Sequence, residues 1–133
     1  HTMISNLTPD LKGKVILDIG CGRGINGYLI RASRDLKKAK MIGIDINKEY
    51  LSLCRKHKVY DKLIKHRLPA LPLKDKSADF IICSEVIEHF DRKQGEKLLS
   101  EIDRVSRGRV IITTPNLFFH AEGGHHEDDH HSL

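Results

Sequence analysis

The sequence lacks any long hydrophobic run and any paired cysteine motif. Uninterrupted apolar stretches reach only four residues, far short of the roughly 20 that a membrane-spanning helix needs, so no membrane span is predicted. The three cysteines, Cys21, Cys54 and Cys83, are odd in number and show no Cys-x-x-Cys spacing, which argues against a disulfide framework and a zinc knuckle. We interpret them as small buried residues of a protein in a reducing compartment and predict a cytoplasmic location.

Length and composition predict one globular domain. The chain has 133 residues, of which 39% are hydrophobic and 31% charged, values that argue against disorder. No signal-peptide pattern is present, and His1-Thr2 before Met3 resembles an expression-tag remnant, so we expect a single domain over residues 3–133. The net charge of +5 is uneven, with 12 Lys and Arg against four acids in residues 31–67. A solvated helix surface explains this basic stretch better than a polyanion site does.

Strand and helix signals alternate along the chain, which predicts a parallel sheet with helices on its faces. Helical periodicity is seen from Ile25 to Ala32 and from about Arg92 to Ser106, with Gly108 placed to stop the second helix. Two prolines make residues 68–73 a loop. After Pro115 the periodicity is lost, so residues 117–133 are predicted to be a loop or mobile tail. The five predicted strands cover residues 14–19, 40–45, 62–66, 79–83 and 109–114.

The first predicted strand ends in an acid, Asp18, and opens into three alternating glycines, Gly20, Gly22 and Gly24. Glycines leave no Cβ atoms in the way of a ligand, so this turn predicts a nucleotide-like cofactor. Gly22-x-Gly24-x-x-Gly27 also satisfies a dinucleotide fingerprint, with Asp45 following at a suitable distance. However, Gly20 occupies the position directly after the strand, and the Asp18 carboxylate would repel a pyrophosphate. An acid there suits a ligand with an amino group and a sulfonium, which favours S-adenosylmethionine.

Four segments together resemble the class I S-adenosylmethionine-dependent methyltransferases: residues 18–24, 42–46, 71–89 and 111–116. The resemblance covers most of the chain. It implies a three-layer, Rossmann-like α/β fold with a mostly parallel sheet of order 3-2-1-4-5. The implied cofactor-binding residues are Asp18, Gly20, Cys21, Gly22, Gly24, Asp45, Ile46, Leu68 and Ser84.

Within that resemblance, the glycine loop lies against the methionine and ribose, Asp18 near the amino group, and Ile46 beside the adenine. Asp45 binds the ribose hydroxyls, since a carboxylate accepts from two vicinal hydroxyls; the alternative is that Asp45 caps the following helix. The family often has an acid after the third strand to accept from the adenine amino group, whereas this chain has Arg67, so backbone groups near Leu68 are expected to substitute.

The family's sheet carries two further strands that this chain is expected to lack. The sequence therefore predicts either a fragment of a longer protein or a minimal domain. In the second case the fifth strand is an exposed edge, or an edge covered by a partner or by self-association.

The end of the fourth strand supplies the candidate catalytic residues, Glu85, Glu88 and His89, beside Ser84. On a helical turn these three would share a face and could hold a divalent ion, as in small-RNA 2′-O-methyltransferases, with His125, His126, His130 or His131 completing the site. The same segment resembles metal-independent small-molecule methyltransferases, so we predict no metal and a small-molecule acceptor rather than RNA. A non-catalytic cofactor-binding subunit and an NAD-dependent oxidoreductase are the remaining alternatives.

Overall fold

A six-stranded sheet forms the centre of the molecule. The computed structural model describes residues 10–114 and, for the backbone alone, residues 117–122. The strands are β1 (Val15–Ile19), β2 (Lys40–Asp45), β3 (Lys62–Lys65), β4 (Ala78–Ser84), β5 (Ser106–Thr114) and β6 (Leu117–Glu122), in the order β3-β2-β1-β4-β5-β6. The helices are α1 (Ile25–Ser33), α2 (Lys48–Lys56) and α3 (Arg92–Val105), with a short 3₁₀ helix at Ile87–His89.

The first five strands are parallel and confirm the predicted order 3-2-1-4-5. β6 is the exception, because it pairs antiparallel with β5, from Arg109 opposite Glu122 to Thr114 opposite Leu117. The loop or tail predicted for this stretch is therefore wrong over residues 117–122. The expectation that β5 is an edge strand open to a partner is also wrong, since the chain covers that edge with its own backbone.

The consecutive residues Leu117, Phe118 and Phe119 have the apolar and aromatic character that favours a strand. The predicted tag remnant and the rest of the tail, residues 123–133, lie outside the described residues.

Both faces of the sheet are buried, which explains why its strands read as continuous apolar runs. On one face, Leu17, Ile44 and Ile81 belong to a core cluster with Leu98 and Ile102 of α3. On the other face, a second cluster packs against α1 and α2 through Ile30, Leu51 and Cys54; its strand members include Ile16, Met41, Phe80 and Ile111. The result is the predicted three-layer α/β arrangement.

The helix ends follow from local capping chemistry. The side chain of Asn47 accepts a hydrogen bond from the Tyr50 N–H and caps α2, so the alternative that Asp45 caps this helix is wrong. Asp91 caps α3 in the same way. α3 ends at Val105, and Gly108 lies inside β5, not at the helix end as predicted. Within the described residues, no helix is both long and apolar enough to cross a membrane.

Candidate functional site

One cavity of about 430 Å³ lies at the carboxyl ends of the central strands. This is where ligands bind in open α/β sheets, and the volume is within the range of small-molecule sites. Its walls come from the ends of β1 to β4, residues that are far apart in sequence. They are Gly20, Gly22, Asp45, Ile46, Tyr50, His66, Arg67, Leu68, Glu85, Val86, His89 and Phe90.

The glycine loop forms the floor of the cavity between β1 and α1. Gly20, Gly22 and Gly24 all have positive φ, at 66°, 56° and 90°, a region that residues with a Cβ adopt at a cost. A Cβ on Gly20 would lie 2.4 Å from Cγ2 of Val86, whereas a Cβ on Gly22 would meet nothing within 4 Å. Gly20 is therefore required for packing, and Gly22 is the glycine that keeps the cavity open.

Asp45 joins the end of β2 to the glycine loop. Its Oδ2 accepts a hydrogen bond of 2.9 Å from the Gly22 N–H, and its Oδ1 accepts one of 2.8 Å from the Asn47 N–H. A carboxylate offers about four lone-pair sites, so about two remain for a ligand. The arrangement fixes the carboxylate at the cavity wall and leaves it able to accept from a pair of hydroxyls.

Asp18 lies behind the loop and outside the cavity lining. Its side chain is 1% exposed, and Oδ2 accepts a hydrogen bond of 2.5 Å from the Tyr60 hydroxyl. Oδ1 is buried and has no hydrogen-bond partner within the described residues. Burial raises the pKa of Asp18 to about 7, the Tyr60 bond opposes this shift, and the nearby Asp45 adds to it. Asp18 can act on the cavity through its charge, and the unpartnered oxygen leaves it capacity for one more donor.

Tyr60 reaches Asp18 through space that two glycines leave. A Cβ on Gly27 would lie 2.7 Å from Cζ of Tyr60, and a Cβ on Gly43 would lie 3.1 Å from Cγ of the same ring. Gly27, the third glycine of the apparent dinucleotide fingerprint, is thus accounted for by packing against Tyr60. It does not line the cavity, which removes the main support for a dinucleotide across Gly22, Gly24 and Gly27.

The β2 and β3 side of the cavity is apolar and cationic. Ile46 is 48% exposed and lines the cavity, so its side chain offers apolar surface to a ligand. Leu68 is half-buried, and Arg67 is exposed beside it. The ring of Tyr50 completes this side, with the guanidinium of Arg23 5.5 Å from the ring centroid.

The β4 side contains the predicted catalytic segment. Glu85 has a φ of 57°, and its N–H donates to the Thr113 carbonyl over 2.7 Å. Ser84 shares a hydrogen bond of 2.9 Å with the Thr113 hydroxyl and does not line the cavity. Glu85 and His89 do line it, whereas Glu88 is placed beside His89, with 3.8 Å between Oε2 and Nε2.

The predicted common helical face for Glu85, Glu88 and His89 is wrong. Glu85 is in the left-handed region, and the 3₁₀ helix begins only at Ile87, so no helical turn contains all three. Within the described part of the chain, no group of three His, Cys, Asp or Glu side chains is placed to hold a metal ion. The histidines at 125, 126, 130 and 131 lie outside the described residues.

The cysteines are buried, as predicted. Burial raises the pKa values of the Cys21, Cys54 and Cys83 thiols, which makes them poor nucleophiles at neutral pH. Cys21 directs its side chain into the core, where a Cβ on Gly43 would meet its Sγ at 3.0 Å. Only its backbone belongs to the glycine loop.

The structure therefore brings together Gly20, Gly22, Asp45, Ile46, Leu68, Glu85 and His89 around one cavity. Asp18, Cys21, Gly24, Ser84 and Glu88 are adjacent to it without lining it. The sequence did not predict the wall positions of Tyr50, His66, Val86 and Phe90, nor the partnership of Tyr60 with Asp18. The glycine at position 43, inside a buried strand, was the one signal for Tyr60, since such a glycine often marks a close approach.

Comparisons with known proteins agree with this geometry. Residues 17–112 match the family described as methyltransferase domain. The phthiotriol/phenolphthiotriol dimycocerosates methyltransferase of Mycobacterium tuberculosis is 32% identical over 111 residues, covering 74% of this chain and 36% of the relative. A solved S-adenosylmethionine-dependent methyltransferase from Aquifex aeolicus superimposes with a TM-score of 0.64 at 22% identity, covering 78% of this chain and 57% of that structure. Another from Mesorhizobium loti gives 0.70 at 19% identity, covering 85% and 51%.

The chain spans well under half the length of the first curated relatives that it matches, between 36% and 42%. The family match nevertheless runs from β1 to β5 and includes the glycine loop, Asp45 and the β4 segment. The chain belongs to the class I S-adenosylmethionine-dependent methyltransferases, the family that its sequence motifs predict.

Proposed function

We propose that this chain binds S-adenosylmethionine in the cavity at the ends of β1 to β4 and takes part in methyl transfer to a small-molecule acceptor. The hydrogen bond from the Gly22 N–H to Asp45 carries the proposal. It fixes a hydroxyl-binding carboxylate beside an open glycine turn, and these two features suit a ribose with a charged substituent at its 5′ position.

The residues present fit that cofactor. Gly22 lines a space that a Cβ would partly fill, which leaves room for a ligand against the backbone. Asp45 would hold the ribose, and Ile46 and Leu68 would flank the base. Asp18, with its unpartnered Oδ1 behind the loop, would favour the amino and sulfonium charges.

When bound, S-adenosylmethionine supplies an electrophilic methyl group on a sulfonium. The protein's own contribution is then to hold the acceptor in line and to exclude water, which together can account for much of the acceleration. Glu85 and His89 line the acceptor end and are the candidate groups to take a proton from an acceptor oxygen or nitrogen. Glu88, close to His89, would orient that imidazole.

The acceptor end suits a partly apolar molecule. Val86 and Phe90 supply apolar surface there, and Glu85 and His89 line the same cavity. The Mycobacterium tuberculosis relative is named for phthiotriol and phenolphthiotriol dimycocerosates, not for a nucleic acid. Both points support a small-molecule acceptor over RNA.

Calorimetry tests the cofactor. S-adenosylhomocysteine should bind the wild-type chain and NAD should not. Asp45→Ala should weaken binding by at least about tenfold, the equivalent of one lost charge-assisted hydrogen bond. Asp35→Ala removes an exposed carboxylate away from the cavity, 3.9 Å from Lys12, and should bind like the wild type. Binding of NAD in place of S-adenosylhomocysteine would contradict the proposal.

A second experiment tests methyl transfer itself. Transfer of labelled methyl from S-adenosylmethionine is measured against panels of small phenols, amines and acids, and against RNA. Turnover on a small molecule that Glu85→Gln reduces, measured with S-adenosylmethionine at saturating concentration, is the expected result. Cofactor binding without turnover on any panel would favour the non-catalytic subunit, and turnover on RNA alone would contradict the proposed acceptor class.

A further inference from the structure

We propose that Arg67 makes the base end of the cavity tolerant of a 6-oxopurine, so that the chain binds S-inosylhomocysteine about as well as S-adenosylhomocysteine. The inference rests on the proposed cofactor site and concerns which purine that site selects.

The order of the strands divides the cavity into two ends. β3 and β4 lie on opposite sides of the pair formed by β2 and β1, and Asp45 at the end of β2 fixes the ribose between them. The end toward β1 and β4 contains the glycine turn and Glu85, and it suits the flexible, charged part of the ligand. The end toward β3 contains the apolar side chains of Ile46 and Leu68, which suit the two faces of a planar base.

At the base end, one polar side chain can only donate hydrogen bonds, and its neighbour can either donate or accept them. Arg67 lines the cavity and carries only N–H donors. Its guanidinium makes no hydrogen bond or ion pair with any residue that the structure describes, so it is available to a ligand. His66, beside it, can present either a donor or an acceptor and so imposes no preference.

The carboxylates among the described wall residues lie elsewhere. Asp45 is bonded to the N–H groups of Gly22 and Asn47, and its remaining lone pairs would be used by the ribose hydroxyls of the proposed site. Glu85 lies at the end of β4, beyond β2 and β1 from β3. Neither is placed to accept from an amino group at the β3 end.

The chemistry of the purine edge then decides the preference. Adenine presents an amino donor at position 6, which an acid or amide side chain reads, whereas a 6-oxopurine presents two acceptors, O6 and N7. An arginine fork pairs with O6 and N7 and has nothing to offer the amino group. Arg67 therefore presents no group that disfavours the 6-oxo base, and it can donate hydrogen bonds to that base.

The experiment measures binding of both ligands to the folded chain by calorimetry. The wild type should bind S-inosylhomocysteine and S-adenosylhomocysteine with affinities within about tenfold, the value of one bidentate pair. Arg67→Glu installs an acceptor and should shift the ratio toward the adenine ligand by at least about tenfold. Lys62→Glu makes the same charge reversal at the start of β3, off the cavity lining, and should leave the ratio unchanged.

Two outcomes would overturn the inference, and they are distinguishable. If the wild type binds S-adenosylhomocysteine and rejects the inosyl ligand, with the same ratio in Arg67→Glu, backbone groups near Leu68 read the base and only this inference fails. If a chain shown to be folded by circular dichroism binds neither ligand, the proposed cofactor site itself is wrong. A shift in the ratio by Lys62→Glu equal to that of Arg67→Glu would also overturn it, since the effect would then be one of general charge.

Discussion

The Tyr60 hydroxyl donates a hydrogen bond of 2.5 Å to Oδ2 of Asp18, across a sequence separation of 42 residues. The pair lies directly behind the glycine loop, so the ionisation of Asp18 is coupled both to the stability of the fold and to the field in the cavity. Asp45 also raises the pKa of Asp18, and Asp18 in turn raises the pKa values of the nearby Cys21, Cys54 and Cys83 thiols. Each is neutral or negative, so the described surroundings supply no cation, and a cationic ligand would complete them.

Asp18→Asn should change how stability depends on pH. The pKa of Asp18 is about 7 in the folded chain, against 3.8 in a free side chain, so the folded state binds this proton more tightly than the unfolded state does. In the wild type, this group's contribution is full below pH 4 and is lost as the pH rises toward 7. Between pH 4 and 7, the free energy of unfolding of Asp18→Asn should therefore rise relative to that of the wild type by about a few kcal/mol. Urea unfolding at about pH 4.5, 6 and 8 measures this change.

Asp79→Asn provides a control of opposite sign for this experiment. The side-chain hydrogen bond from Arg107 is the largest influence on the pKa of Asp79 and holds it below its usual value. The stabilisation that ionised Asp79 contributes is present above about pH 4 and is lost on further acidification. The Asp79→Asn variant should therefore lose free energy of unfolding relative to the wild type as the pH rises to about 4, so urea unfolding of this control is also measured below that pH. Parallel pH profiles for the two variants would contradict the assignment of Asp18.

Gly22→Ala and Gly13→Ala should separate backbone strain from loss of the cavity. Both glycines have positive φ, 56° and 69°, and a Cβ on either would meet no atom within 4 Å. Each substitution should lower the free energy of unfolding by about 1 kcal/mol, the cost of a Cβ in the left-handed region. Only Gly22 lines the cavity, so only Gly22→Ala should weaken binding of S-adenosylhomocysteine in calorimetry. Equal loss of binding in both variants would show that the cavity does not hold the ligand.

Arg104→Met should loosen the loop that follows the base end of the cavity. The Arg104 guanidinium donates to the carbonyls of Leu71 and Leu73 and to the carboxylates of Asp75 and Glu101. Its side chain is 33% exposed, so after screening the loss in unfolding free energy should be about 2 kcal/mol. Hydrogen exchange in residues 68–75 should accelerate, which a purely global loss of stability would not confine to that loop.

Arg92→Met is the matched control on the same helix. Arg92 pairs with Glu96 at 3.4 Å, and its side chain is 78% exposed. Exposed pairs of this kind contribute little, so the change should cost no more than about 0.5 kcal/mol. A comparable loss in both variants would mean that the Arg104 network contributes no more than an ordinary surface pair.

The sequence predicted those elements of the fold whose pattern lies within a few neighbouring residues. The buried strands β1, β2 and β4 were found to within a residue at each end, because apolar runs bounded by glycines and acids are local patterns. β6 was missed because Pro115 and a tail rich in His and Gly masked a short apolar run. Gly108 was assigned to the helix end because a glycine after a helical pattern often stops it.

The site was harder to predict because its determinants are long-range. Asp45 and Gly22 were found by motif, yet the hydrogen bond between them joins residues 23 apart. Tyr60 sits between Val59 and Asp61, beside a charged stretch, and nothing local indicates that Gly27 and Gly43 leave room for its ring. The left-handed conformation of Glu85 excludes it from the helical turn that contains Glu88 and His89, and a non-glycine residue gives no warning of a positive φ.

Gly108→Ala and Gly95→Ala should shift stability in opposite directions. A Cβ on Gly108 would lie 2.1 Å from the backbone carbonyl oxygen of Asp79, so β4 and β5 would have to separate where their register already shifts. Gly108→Ala should lower the free energy of unfolding by about 3 kcal/mol or more, at the upper end of what overpacking a core costs. Gly95 lies inside α3, where the nearest atom to a new Cβ is Cγ1 of Ile87 at an ordinary 3.6 Å.

Alanine loses less backbone entropy than glycine on entering a helix, so Gly95→Ala should raise the free energy of unfolding by about 0.5–1 kcal/mol. Thermal and urea unfolding of the two variants beside the wild type provide the measurement. If Gly108→Ala were as stable as the wild type, the close approach of β5 to Asp79 would be wrong. The parallel register that pairs Ser84 with Thr113, and so holds Glu85 at the cavity, would then be wrong with it, because the same strand pair fixes both.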